Sequence, residues 1–117
     1  MEEKQLVQKI IELAESKKAL DLSCFDVSKN SDLCDYQIIC SGQTERQAQA
    51  IAEEIVSVLK KDFGITAQTV EGMQSAHWIL VDLGFCFIHI FTEEQRKYYA
   101  LDSLWDKFKV ETQFFEK

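Results

Sequence analysis

Few residues in this chain have the types and spacing to do chemistry. Asp82 and His89 stand in two adjacent strand-like runs, where a carboxylate could meet an imidazole on one sheet face. No nucleophile accompanies them, and no Ser-His-Asp or Cys-His arrangement is recognisable, so a structural ion pair is the expected use. Gly42, between a strand-like and a helical run, invites a phosphate at a helix N-terminus. The segment Ser41-Gly42-Gln43-Thr44 holds one glycine and neither glycine-rich phosphate motif, and turn-and-cap chemistry explains it. Metal-assisted phosphoryl transfer needs paired carboxylates on one strand face. The strand acids are single, Asp35 and Asp82, and Asp21 and Asp26 fall on opposite faces of a regular strand. Cys24, Cys34, Cys40 and Cys86 form no C-x-x-C pair, and His77 and His89 do not complete a zinc pattern. Four free thiols, a reducing cytoplasm and no metal or cofactor are expected.

The elements that must position these residues follow from periodicity. Leu6, Val7, Ile10, Ile11, Leu13 and Ala14 make one apolar stripe, which predicts a helix over 3–16. Residues 20–27 and 35–41 read as strands joined by the polar turn 28–32, a link short enough for an antiparallel pair. Thr44 and Gln47 form a capping box for a second helix, which carries Ala48, Ile51, Ala52, Ile55, Val58 and Leu59. Lys60 and Lys61 suit its C-terminal end, and Gly64 suits a left-handed stop. A third, partly polar strand over 65–70 has the character of an edge. Two further strands, 77–83 and 85–91, turn at Asp82-Leu83-Gly84. Thr92 and Gln95 form a second capping box, for a short helix through Tyr99. The order α-β-β-α-β-β-β-α predicts an α/β fold, a mixed five-stranded sheet with helices mainly on one face. A single domain over 1–117 is expected, with no firm reading of the tail from Asp106.

Strand alternation separates the two sheet faces. Ile79, Val81 and Leu83 share one face with Cys86, Ile88 and Ile90, a small aliphatic set suited to packing under helices. Trp78, Leu80 and Asp82 share the other with Phe85, Phe87, His89 and Phe91. Large aromatics among a few polar groups are interface chemistry. The alternative is that the third helix or the tail covers this face and His89 is a satisfied core histidine. The residues leave both readings open.

Composition narrows the partners. The chain of 117 residues has net charge −7, no proline and four glycines. Clustered Lys and Arg, the footprint of nucleic-acid binding, are missing, so direct binding of RNA or DNA is not expected. An acidic surface suits a basic partner, and it suits simple solubility just as well. No apolar run approaches the roughly 20 residues of a membrane span, and the start Met-Glu-Glu-Lys has neither the basic nor the apolar region of a signal peptide. Arg46 and Arg96 are the only arginines, and arginine is the usual charged interface anchor.

Two stretches together resemble the ribosomal silencing factor (Iojap) family. One is Asp35-Tyr36-Gln37-Ile38-Ile39-Cys40-Ser41-Gly42-Gln43-Thr44-Glu45-Arg46-Gln47, continuing through Ala50-Ile51-Ala52. The other comprises Glu71-Gly72, Trp78-Ile79-Leu80-Val81-Asp82-Leu83-Gly84, His89-Ile90-Phe91, Glu94, Arg96, Tyr98-Tyr99 and Leu101-Asp102-Ser103-Leu104-Trp105. Gln37 departs from the family's usual aromatic or aliphatic residue, and Leu83, Phe85-Cys86, Thr92 and Ala100 depart likewise.

The resemblance implies a nucleotidyltransferase-like fold without catalytic acids and a cytoplasmic, non-enzymatic factor. Such a factor binds the large ribosomal subunit through its protein L-fourteen and blocks subunit joining, repressing translation when nutrients are scarce. Some members are homodimers in isolation, so a homodimer is a further expected partner state. On the aromatic face it implies a docking surface of Trp78, Leu80, Asp82, His89 and Phe91. Arg96 and Tyr99 border that surface, and Glu71 stands at its entry. The competing function is a nucleotidyltransferase-like enzyme binding a nucleotide near Gly42, and a third is self-association through the aromatic face.

Overall fold

The computed structural model describes residues 2–110. Helix α1, Glu3–Ser16, leads into strand β1, Leu20–Asp26, and strand β2, Tyr36–Gly42, pairs antiparallel with it. Helix α2, Glu45–Phe63, starts at Thr44, whose hydroxyl accepts the Gln47 N–H at 3.1 Å, while the Gln47 side-chain Oε1 accepts the Gln43 N–H. It stops at Gly64, which sits at φ +68°. Strands β3, Thr69–Glu71, β4, Trp78–Asp82, and β5, Cys86–Thr92, follow, and then helix α3, Glu93–Tyr99.

Among the described residues the sheet has six strands in the order β3-β4-β5-β2-β1-β6, where β6 is Lys109–Val110. The expected count of five is therefore corrected. The extra strand pairs Cys24 with Val110 and Phe25 with Lys109. A two-residue strand has no readable period, and only this pairing reveals it. Residues 111–117, the rest of the tail, lie outside the described residues. β5 returns parallel to β2, while the other neighbours are antiparallel.

Two expectations need local correction. The third strand starts later than its predicted range, because Ile65 follows the helix stop and returns its N–H to Leu59. Thr92 stands at the N-cap of α3 without a side-chain cap bond.

One apolar cluster lies between the sheet and α1 and α2. Ile38, Cys40, Ile79, Val81, Ile88 and Ile90 meet Ile10, Ile51, Ile55 and Leu59 there. Gly42 is required by close packing at this layer, since a Cβ would stand 2.6 Å from the Ala48 nitrogen. Phe85, expected on the opposite face, packs against this cluster. It precedes β5, in the turn, and its carbonyl accepts the N–H groups of Asp35 and Tyr36, so strand alternation does not extend to it.

Candidate functional site

The second sheet face divides into a covered part and a half-open part. Phe25, Ile39 and Phe91 form a smaller cluster with Val27, Cys34 and Leu101, flanked by Trp78, Phe87, Trp105 and Phe108. The cover comes from a 3-10 turn at Leu101–Leu104, Trp105 after it and a second 3-10 turn at Asp106–Phe108. The Trp105 ring lies 6.0 Å from Phe25 and 5.7 Å from His89. Among the described residues the cover ends towards β4, and Trp78, Leu80, Asp82 and Phe87 are only half-buried.

At this open end the Trp78 ring packs 5.2 Å from Phe91 and 4.9 Å from Tyr99. Tyr99, on α3, is 45% exposed and Tyr98 beside it 77%. Glu71 is exposed on the edge strand and paired in register with Leu80, which places both on the same sheet face. Trp78, Leu80, Asp82, Tyr99 and Glu71 thus stand on or around the half-open surface.

The other site residues lie beneath it. Phe91 is fully buried and His89 is 5% exposed. His89 Nδ1 accepts the Trp78 indole N–H at 3.1 Å, and its Nε2 lies 2.7 Å from Gln37 Oε1. Burial pushes the imidazole down to about 4, against a weaker upward pull from Asp102, so it is neutral at pH 7. The core-histidine reading therefore describes His89, while the half-open aromatic reading describes Trp78. No bond joins Asp82 to His89: Leu80 is opposite His89, and Asp82 Oδ1 takes the Gly84 N–H at 2.8 Å.

Arg96 is a brace. Its guanidinium donates to both Asp102 carboxylate oxygens, at 3.2 and 2.8 Å, to the Asp21 carbonyl at 2.6 Å and to Ser41 Oγ at 3.2 Å. It thereby ties α3 and the first 3-10 turn to the β1 bulge, where Asp21 sits at φ +48°. Burial raises the Asp102 carboxyl, but the Arg96 hydrogen bonds and charge outweigh it and hold the group below its ordinary value. Among the residues missed as functional candidates, Gln37 holds His89, and its signal was one amide in an apolar strand run.

The crevice at the ends of parallel β2 and β5 is where an α/β fold would take a phosphate. It has about 400 Å³ and is lined by Glu45, Glu93 and Glu94 beside His77, which bonds Glu45 at 3.1 Å. Three carboxylates repel a phosphate, so this crevice does not suit a nucleotide. Among the described residues no group of His, Cys, Asp and Glu has the arrangement to hold a metal ion. All four cysteines are buried free thiols, and burial pushes Cys24 and Cys40 up to about 12, which leaves them poor nucleophiles. No described helix is long and apolar enough to cross a membrane.

The sequence model of one family, described as ribosomal silencing factor during starvation, matches residues 1–117. A ribosomal silencing factor of Halalkalibacterium halodurans is 35% identical over 90% of this chain and 89% of its own. A crystal structure of a Chromobacterium violaceum protein superposes with a TM-score of 0.87 at 32% identity, covering 91% of this chain and 88% of that one. A mouse protein named for mitochondrial assembly of the ribosomal large subunit is 28% identical over 85% of this chain and 44% of its own. Its fold and the match along residues 1–117 place this chain in the ribosomal silencing factor family.

Proposed function

We propose that this chain lowers translation by keeping ribosomal subunits apart, without catalysing a reaction. It docks on the large subunit through protein L-fourteen and occupies the face the small subunit must reach. The observation that carries this reading is the half-open aromatic end of the second sheet face, where Trp78 is backed by Phe91 and framed by Tyr99. A partly desolvated tryptophan on a rigid strand is the usual anchor of a protein interface. Leu80 and Asp82 extend the contact along β4, and Glu71 borders it. His89, Phe91 and Arg96 act from beneath, holding that surface in shape. The net charge of −7 favours a basic ribosomal protein and speeds encounter with it.

Gradient sedimentation of purified subunits tests the reading. With this protein in excess, it should travel with the large subunit, and the joined-ribosome peak should fall. Trp78→Ala should remain at the top of the gradient and leave joining intact. A parent protein that never leaves the top and does not change joining would sink the proposal. Thermal melts with ATP or CTP and Mg²⁺ complete the test: a nucleotide that binds only the folded chain must raise its melting point, and no rise is expected.

A further inference from the structure

A directed chain of side chains runs beneath the half-open surface. The Trp78 indole has one polar group, a donor, and His89 Nδ1 accepts it. Nδ1 must then keep its lone pair, so the neutral ring carries its proton on Nε2. That N–H donates to Gln37 Oε1, and the Gln37 amide NH₂ in turn donates to Cys34 Sγ at 3.3 Å. A donor-only group at one end therefore fixes every proton assignment along Trp78, His89, Gln37 and Cys34. Gln37 and His89 are only 6% and 5% exposed, so water does not compete for these bonds.

The chain decides how Trp78 presents itself. The terminal torsion of an indole is broad and roughly two-fold, so two flips of the ring are open to it in the absence of a directed bond. The bond to Nδ1 tolerates one, with Nε1 turned inward. The side chain then offers only carbon to the half-open side. We infer that Gln37 and His89 are positioning residues for docking, which hold the Trp78 indole in one orientation so that its carbon surface meets an apolar pocket on the partner protein. This inference rests on the docking role given above to Trp78. Preorganisation of this kind removes an ordering cost from binding. If the released indole spent a tenth of its time in the docking orientation, apparent affinity would fall about ten-fold.

The test uses the full chain, ¹⁵N-labelled, and purified large subunits. In the parent, His89 Nδ1 should have the shift of an unprotonated ring nitrogen and Nε2 that of a protonated one, with a single Trp78 indole signal. A proton on Nδ1 would overturn the inference with no variant needed. Gln37→Met keeps length and volume and removes the acceptor. It should give mixed His89 tautomers, a second Trp78 indole signal and about ten-fold weaker sedimentation with the large subunit. Unchanged indole signals or unchanged binding in Gln37→Met overturns the positioning role. Trp78→Ala, measured alongside, separates the two claims. If it loses binding while Gln37→Met does not, only the positioning role falls. If Trp78→Ala itself binds undiminished, the docking reading falls and takes this inference with it.

Discussion

On the helix-covered face, Ile38, Ile79, Val81, Ile88 and Ile90 meet α1 and α2 with hydrocarbon and buried thiols. On the other face the same strands present Gln37, Trp78, Leu80, His89 and Phe91. The first face is closed by two long amphipathic helices, and shape alone satisfies it. The second is closed by short 3-10 turns that reach only part of the way across. Its polar groups must pair within the face, and they do: Trp78 with His89, His89 with Gln37, Arg96 with Asp102 and Ser41. Hydrocarbon packing holds the sheet, whereas directed bonds shape the surface left open. Substitutions in the two faces should therefore separate stability from binding.

The largest expected effect is on the closed face. Ile88 is fully buried, and Ile88→Ala should cost about 3 kcal/mol of stability through lost transfer energy and the cavity left behind. Urea unfolding reads that loss, while the molecules still folded should bind the large subunit as the parent does. Trp78→Ala should show the opposite pattern. It should weaken large-subunit binding by about 2 kcal/mol or more, roughly thirty-fold, and lower stability less than Ile88→Ala does. If the two variants lose binding and stability in the same proportion, the division between the faces is wrong.

Acid sharpens the contrast, because each side of the sheet carries a group whose displacement spans the range from about pH 4 to 7. His89 is held at about 4 against an ordinary 6.5. Between those values the unfolded chain binds a proton that the folded chain refuses. Stability from this group is thus complete above 6.5 and falls by about 1.4 kcal/mol per pH unit on the way down to 4. Glu3, in α1, is raised from 4.5 to about 7, first by its hydrogen bond to Asp35, then by burial and by that carboxylate's charge. Its contribution has the opposite sign: it is complete below 4.5 and lost as pH rises to 7. Glu3 is exposed, so solvent discounts its share. The parent should therefore show a shallow decline in urea stability from pH 6.5 to 4.5. Glu3→Gln should steepen that decline, and His89→Leu should reverse it. A His89→Leu protein with the parent's slope would mean that the imidazole is protonated in the fold.

Much of the closed face could be read from the residues alone, because helical and strand periods act over many positions. The α1 stripe, the Thr44 cap and the stop at Gly64 lie where spacing placed them. The second face was legible by type and not by depth. Alternation put Trp78, His89 and Phe91 on one side, but only the fold puts Trp105 over His89 and leaves Trp78 at the edge. Covering turns and a two-residue strand have no period to read, and their positions depend on contacts far away in sequence. Gln37 was visible as a departure from its family, yet its reason lies 52 residues away, in His89.

The smallest expected effect compares two threonines in matching places. Gly42 and Thr92 are register partners at the ends of the parallel strands, and each strand runs into a helix. On the closed side, the Thr44 hydroxyl accepts the Gln47 N–H and satisfies one of the free donors of α2. Thr44→Ala should therefore cost about 1 kcal/mol in urea unfolding. Thr92 holds the same position before α3, in an extended conformation, with no side-chain bond to the helix. What holds α3 is the Arg96 brace and the rings around Tyr99, so Thr92→Ala should stay within about 0.5 kcal/mol of the parent. Equal losses in the two variants would mean that α3 depends on its cap as α2 does, and that the second face is closed by helix propensity rather than by its directed bonds.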